Sequence, residues 1–489
     1  MRLKHFYRIV LLLIVTGFSV SCSKNDDEDP QLVVSATTVS FEPEGGTSEE
    51  ITIDANSEWS VSNPATSWLQ LTKTSGASGT TVIKLIALKN ETLKLSRSVV
   101  LTVDANNGQT RRITIKQRAN FYPSYNLEPK APDATDMSST AVELAAKMHL
   151  GINFGNTMVT PEEGVWNAKV TESYVKFVKG LGFNTVRLSV GWVWGHLSDP
   201  DKMKVDPEWL ERVHEVVGWC VKNDMYVVLN AHADLGWLED NVTLEMEESV
   251  NAKQKALWEQ IATTMRDFDE RLIFAGTNEP KVDTPEQMAI LNGYHETFIK
   301  AVRATGGKNS YRVLVVQGPI TDSHKTYNLM NTLPHDPVPN RMMVEIHSYT
   351  PSTFTLLTDE DVSWGKMAYY WGTDNHSTIE PLRNAIFGEE DSIISEFQKM
   401  KEKFVDKGIP VILGEYASWR RTADLDKPVP LDTDKHNKSV DYWAKYVTKQ
   451  AKLHGIVPYW WEIGFMLDRA NDKVKDQAML DAIIEGYNQ

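Results

Sequence analysis

Residues 271–280 read Arg-Leu-Ile-Phe-Ala-Gly-Thr-Asn-Glu-Pro, and residues 409–416 read Ile-Pro-Val-Ile-Leu-Gly-Glu-Tyr. Each is a short apolar run that stops at a glutamate. Apolar runs of this length, bounded by turn residues, suit parallel strands buried on both faces. Working outward, the pattern recurs: strand candidates lie at 149–154, 183–189, 225–231, 272–278, 311–317, 341–347, 409–415 and 456–461. Helix-like stretches separate them, among them 207–223, 249–268, 284–305, 392–407 and 434–454. Regular alternation of strand and helix predicts an α/β fold, a (β/α)8 TIM barrel over 138–489. An open doubly wound sheet is the alternative, but no glycine-rich phosphate fingerprint follows the first strand.

The N-terminal third reads differently. Arg2, Lys4 and Arg8 precede an apolar run and then Ser21-Cys22, the pattern of a signal peptide over 1–21. Cys22 after small residues resembles a bacterial lipoprotein signal, although Ser19 stands where leucine is usual. The expected product is an outer-membrane lipoprotein exposed at the cell surface, anchored through Cys22; a secreted or periplasmic protein is the alternative. The acidic stretch in 22–31 reads as a tether. Residues 32–118 alternate in short β-like runs, such as 51–53, 99–103 and 112–116, separated by Gly45-Gly46, Ser75-Gly76 and Asn106-Asn107-Gly108. This predicts a small all-β, immunoglobulin-like sandwich of about seven strands. Trp59, Trp68, Arg97 and the closing Ile113-Thr-Ile-Lys-Gln117 resemble a BACON domain, here read as a spacer first and a carbohydrate binder second, with its tryptophans in the core. Pro123, Pro129 and Pro132 mark 119–137 as a stiff linker, and Thr140 with Glu143 makes a capping box for a helix before the barrel.

The chain has 489 residues and a formal charge of −15, about −18 once the first 21 residues are removed. An acidic chain of this kind argues against a nucleic-acid partner, whose phosphates want a basic face. Cys22 and Cys220 are its two cysteines. With Cys22 lipidated, no intrachain disulfide is expected.

In a barrel the C-terminal ends of all strands converge on one face. Read in order, those ends supply Asn153 and Asn156, Arg187, Asn230 with His232, Asn278 with Glu279, Gln317, His347 with Tyr349, Glu415, and Trp461. The segments 151–156, 184–189, 229–232, 276–280, 345–349, 412–415 and 459–462 are similar to glycoside hydrolase family 5 of clan A, in its branch of endo-β-glucanases, over nearly the whole C-terminal domain. Ala233 is a departure, standing where a second histidine is common.

The resemblance implies a retaining endo-β-1,4-glucanase acting by double displacement, with no cofactor and no metal. Its partners would be β-glucan polysaccharide and, through the lipid, the outer membrane, with the chain a monomer. Glu415 would be the nucleophile, ionised at rest, with Arg187 and the Tyr349 hydroxyl as its stabilisers. Glu279 would be the acid/base, starting protonated. Asn278 would bond the sugar 2-hydroxyl, His232 and His347 would hold hydroxyls or orient the acids, and Trp461 would floor the cleavage subsite. Arg187 is also readable as a core ion pair, the two histidines as core residues, and Glu279 with the histidines as a metal site. Asn156 and Trp237 are further candidates for substrate contact. Trp166, Trp192, Trp194, Trp237, Trp364, Trp371 and Trp419 are divided between groove and packing, and the irregular stretch 350–378 is expected as a groove wall. A xyloglucan-specific endoglucanase, a β-mannanase and a non-catalytic glycan-binding lipoprotein are the competing readings.

Overall fold

The computed structural model describes residues 29–92, 94–232, 234–358, 361–362, 365–421 and 429–489. The signal peptide, Cys22, most of the acidic tether, Ala233 and Trp364 lie outside them. The chain divides into two units, residues 1–91 with 96–118, and 92–95 with 119–489.

The first unit is all-β. Its long hairpin, Arg97–Ala105 against Thr110–Gln117, pairs with Thr38–Phe41 on one side and Trp59–Ser62 on the other. Two three-stranded sheets complete it, one built on Ile51–Ala55 and one on Leu85–Ala87. The strands are more numerous and shorter than the expected seven. Gly79–Ile83 and Leu85–Ala87 belong to different sheets with only Lys84 between them, so the chain changes sheet within one extended run. Trp59 is buried among Ile53, Leu69, Leu101 and Ile113, and Trp68 packs against the same core under the Arg97 guanidinium, 4.5 Å from its ring.

The second unit is a closed barrel of eight parallel strands: β1 (Gly151–Asn153), β2 (Thr185–Val190), β3 (Tyr226–Ala231), β4 (Leu272–Ala275), β5 (Leu314–Asp322), β6 (Met342–His347), β7 (Val411–Tyr416) and β8 (Ile456–Trp460). Successive side chains point to opposite faces, and the core divides accordingly. Val186, Leu188, Val227, Leu229, Phe274, Val316, Ile346 and Leu413 pack outward on the helices. Val228, Ile273, Val315, Met343, Ile412 and Tyr459 fill the interior, where they meet Ala141, Leu144 and Met148 of α1 (Ala141–Lys147). This helix starts at the expected capping box, Thr140 with Glu143, and closes the N-terminal end of the barrel. The inward positions one step further along are polar: Asn153, Arg187, Asn230, Gln317 and Glu345, all buried.

Residues 119–137 run along the barrel. The Ala119 N–H donates to Glu248, and Ser124 and Tyr125 donate to Glu259, both on α2 (Glu247–Thr264). Further on, Lys130 and Asp133 donate to the carbonyls of Thr305 and Gly307. Of the stretch 350–378, expected as a groove wall, Leu356 and Thr358 line a cleft but the aromatic cluster does not. Tyr369, Tyr370 and Trp371 are fully buried; Trp371 packs on Tyr442 and Tyr446 of α3 (Thr433–Leu453), and the Tyr369 carbonyl bonds His436 of the same helix. These rings anchor the excursion to the scaffold instead of lining a groove.

One break in regularity matters for chemistry. Along β6 and β7, Glu345 faces Ile412 and Ile346 faces Leu413, but His347 faces Glu415. The extra residue is a bulge at Gly414, and a bulge re-aims the side chains beyond it. Tyr416 consequently points out to α3, its hydroxyl 2.7 Å from Thr448, while Glu415 points in. A Cβ on Gly414 would lie 2.0 Å from the Glu345 carboxylate. Gly414→Ala should therefore cost about 1–3 kcal/mol by overpacking and lower turnover with it; thermal unfolding unchanged from wild type would contradict this reading.

Candidate active site

The polar layer organises itself around Arg187. A buried guanidinium must be matched by carboxylates and hydrogen-bond acceptors. Its Nε lies 2.7 Å from Glu345 Oε1 and its Nη1 2.8 Å from Glu415 Oε1. Nη1 also donates to Asn153 Oδ1 at 3.1 Å, and Nη2 donates to Asn278 Oδ1 at 2.7 Å. Side chains from β1, β2, β6, β7 and the turn after β4 thus share one cation. The Tyr349 hydroxyl donates to the second Glu415 oxygen at 2.9 Å. Burial and the neighbouring Glu415 charge push that phenol far above its ordinary range, so it remains a donor.

Glu279 takes a different partner. His347 Nδ1 is 2.7 Å from Glu279 Oε1, and its Nε2 is 3.2 Å from Glu345 Oε1. Burial disfavours the imidazolium, but Glu415, Glu279 and Glu345 together raise it to about 9. An oxygen of Glu279, one of Glu415 and a ring nitrogen of His347 all lie within 4.8 Å of one another. Such a trio has the spacing of a metal site, yet both His347 nitrogens face carboxylate oxygens. When both carry hydrogen, the ring has no lone pair to offer a metal ion.

The two acids differ in their surroundings. For Glu279, burial pushes the carboxyl up, but the hydrogen bond and charge of His347 outweigh it and hold the group below the usual carboxylate range. For Glu415, burial dominates and the Glu279 charge adds to it, against the pull of His347, Arg187 and Tyr349, so the group is raised. The sequence reading has Glu279 starting protonated; the 2.7 Å contact with His347 pulls the other way and favours its ionised form.

His232 stacks on Trp461 at 5.5 Å with planes 12° apart. Burial and the cations of Arg187 and His347 hold it neutral. The half-buried Trp461, with Tyr349, Leu356, Trp419, Phe465 and Met466, lines a cleft of about 540 Å³, which Tyr349, the donor to Glu415, connects to the acids. Asn156 follows β1 with a positive φ of 54°, and among the described residues no hydrogen bond ties its side chain to the carboxyl pair. Trp237 sits in the loop after β3 under Lys253 Nζ, 4.7 Å from its ring. Trp192 is packing, its indole bonded to the Asn230 carbonyl, whereas the exposed Trp166 meets the half-buried Trp194 with centroids 6.1 Å apart. Two site carboxylates carry no role in the sequence reading. Glu345 lies two residues before His347, so strand alternation already places both on one face. Glu239, whose side chain accepts the Glu279 N–H at 2.8 Å, lies in a loop with no periodicity to mark it.

The family model for cellulase (glycosyl hydrolase family 5) matches residues 148–466, and that for BACON, a putative N-terminal binding domain, matches 57–118. The chain is similar to a xyloglucan-specific endo-β-1,4-glucanase of Bacteroides ovatus, 31% identical, with 98% of this chain and 96% of that one covered. It is also similar to an endoglucanase A of Paenibacillus barcinonensis, 31% identical over 73% of this chain and 92% of the relative. Among solved structures, a Bacteroides ovatus family 5 xyloglucanase bound to a heptasaccharide superposes with a TM-score of 0.69 at 29% identity, covering 94% of this chain and all of that one.

The raised His347 proton affinity has a stability consequence of definite sign. Its contribution is fully present below an unfolded-state value near 6.5 and is lost as pH rises through about 9. Urea unfolding at pH 6 and at pH 9.5 should show wild type losing up to roughly 3 kcal/mol from this group, with His347→Gln losing correspondingly less. Equal losses in the two proteins would refute the assignment.

Proposed function

The chain belongs to glycosyl hydrolase family 5, and from that membership we propose a retaining endo-β-1,4-glucanase that cuts plant cell-wall glucan outside the cell. The observation that carries this reading is the spacing of Glu279 and Glu415, an oxygen of each within 4.8 Å. Retaining enzymes hold their carboxyls about 5–5.5 Å apart; inverting ones leave about 6.5–9.5 Å for a water between them.

The roles follow from the partners. Glu415 attacks the anomeric carbon, and the bond to the leaving oxygen breaks as Glu279 donates its proton there. Arg187 and Tyr349 donate to Glu415, hold it in place and favour its charged form against the burial that opposes it, and neither readily gives it a proton. The ester formed at Glu415 leaves that side chain neutral. Glu279, now ionised, removes a proton from water, whose oxygen attacks the same carbon and releases Glu415. Trp461, stacked on His232, offers a ring face to the C–H face of the sugar being cleaved. Asn278, whose Oδ1 accepts from Arg187, would meet the 2-hydroxyl.

A second reading, xyloglucan as the preferred glucan, draws support from two observations. The relative matched along nearly the whole chain is xyloglucan-specific, and the cleft of about 540 Å³ beside Trp461 has room for a branch as well as a backbone sugar. The non-catalytic alternative has no support in a site that retains both acids.

We further propose that the protein works as a monomeric lipoprotein of the outer membrane. Its acidic tether and first domain would set the barrel off the cell surface, with the lipid on Cys22.

Two measurements test these readings. Glu415→Ala should abolish turnover, and Glu279→Ala should lose about 10²–10⁴-fold on polymer while still cleaving aryl glycosides whose leaving group needs no proton. Assayed on carboxymethylcellulose, barley glucan, tamarind xyloglucan and glucomannan, the wild type should prefer a glucan; cleavage confined to mannan would overturn the glucanase reading. Separately, Cys22→Ala should abolish labelling by radioactive palmitate and release the protein from the membrane fraction. Undiminished labelling would refute the anchor.

A further inference from the structure

The acid Glu279 does not stand on a strand. β4 ends at Ala275, and the turn that follows must satisfy its backbone elsewhere. Toward β5 it does so through Gly276 N–H to the Val315 carbonyl and Thr277 N–H to Gln317 Oε1, 3.2 Å each. Toward the loop after β3 the backbone of the turn is held by Glu239. Glu239 Oε1 accepts the Glu279 N–H at 2.8 Å, the Asn278 N–H faces the same carboxylate, and the Glu239 carbonyl accepts the Lys281 N–H at 2.9 Å. Glu239 is only 8% exposed, and the Asn278 it steadies is the residue that takes Arg187 Nη2.

We propose that Glu239 is a positioning residue for the acid/base step: its buried carboxylate fixes the backbone from which Glu279 projects, and its negative charge helps keep a proton on Glu279. The inference rests on the assignment of Glu279 as acid/base above.

The charge argument is reciprocal. The groups facing Glu239 are Glu279, Asp240 and Lys281, and the Lys281 ammonium is committed to Asp240 at 2.6 Å. Burial pushes Glu239 up to about 7, with Glu279 and Asp240 adding and the two backbone N–H groups opposing. Whatever Glu279 does to the ionisation of Glu239, Glu239 does to Glu279. Once Glu239 is charged, ionisation of Glu279 becomes harder, and the proton that the leaving group needs is retained to higher pH.

Two variants separate positioning from mere support of the fold. Glu239→Ala removes the acceptor of two N–H groups. Glu239→Gln keeps an acceptor oxygen and removes the charge. The readout is kcat/KM on barley glucan and on 2,4-dinitrophenyl β-cellobioside. The second substrate expels its leaving group without a proton and so bypasses Glu279 during bond cleavage. For Glu239→Ala we expect a loss of about 10–100-fold on glucan and under about 3-fold on the activated substrate. For Glu239→Gln the alkaline limb of the glucan profile should move to lower pH, because an uncharged neighbour lets Glu279 ionise earlier. Equal losses on both substrates, no loss on either, or an alkaline limb of Glu239→Gln that stays put or moves upward would overturn the proposal. A wild-type enzyme inactive on both substrates would instead overturn the glucanase reading on which it rests.

Discussion

The mouth of the barrel depends on one buried cation. Arg187 has no exposed surface, and a guanidinium in such a place is tolerable only where every direction offers an acceptor. Glu415, Asn153 and Asn278 accept its hydrogen bonds, and Glu345 sits against Nε as an ion pair. The requirement runs in both directions. Without Arg187, Glu345 would be a buried anion left with His347 and Gln317, and Glu415 would lose the partner that cannot give up its proton. The same charge that lets three polar strand ends be buried also fixes the nucleophile. Stability and chemistry are not separable here.

Strand alternation sets the rest of the frame, and its break in β7 aims the nucleophile. In a regular strand the inward positions of β7 would be Ile412, Gly414 and Tyr416. The bulge at Gly414 turns Glu415 inward and releases Tyr416 to the helix layer. Glycine suits that point because the space a side chain would take is filled by the Glu345 carboxylate. The glycine before the nucleophile therefore serves the third carboxylate as much as the backbone.

Much of this was legible in the sequence. Apolar runs bounded by turn residues gave all eight strands to within a few residues, because a strand buried on both faces leaves a nearly uninterrupted apolar record. The strand-end rule then gathered Arg187, His232, Asn278, Glu279, His347, Tyr349, Glu415 and Trp461 from separate segments. What escaped had no one-dimensional signature. Glu239 acts through backbone contacts to a turn 40 residues away, and loop position carries no period. Tyr369, Tyr370 and Trp371 have the composition of a sugar-binding wall, yet aromatic rings on a loop serve packing and substrate equally well. Here the neighbouring helix claims them. The protonation pattern escaped for a related reason: it depends on His347 lying between Glu279 and Glu345, a fact of three dimensions.

That pattern bears on how the site starts its reaction. The empty site contains three carboxylates, Arg187 and a protonated His347, a net charge of −1 when all three acids are ionised. The state the chemistry needs has Glu415 and Glu345 ionised, Glu279 protonated and His347 neutral, and it carries the same −1. The two differ only by one proton moved along the Nδ1–Oε1 hydrogen bond. No proton has to come from solvent once a sugar closes the cleft. The transfer also leaves Arg187 and Tyr349 unchanged, so the contacts that hold Glu415 persist, while the bond between Glu279 and His347 reverses its direction, the acid now donating. The asymmetry between two chemically identical side chains thus comes from the kind of partner each has: one paired to a guanidinium that never titrates, the other to an imidazole that does.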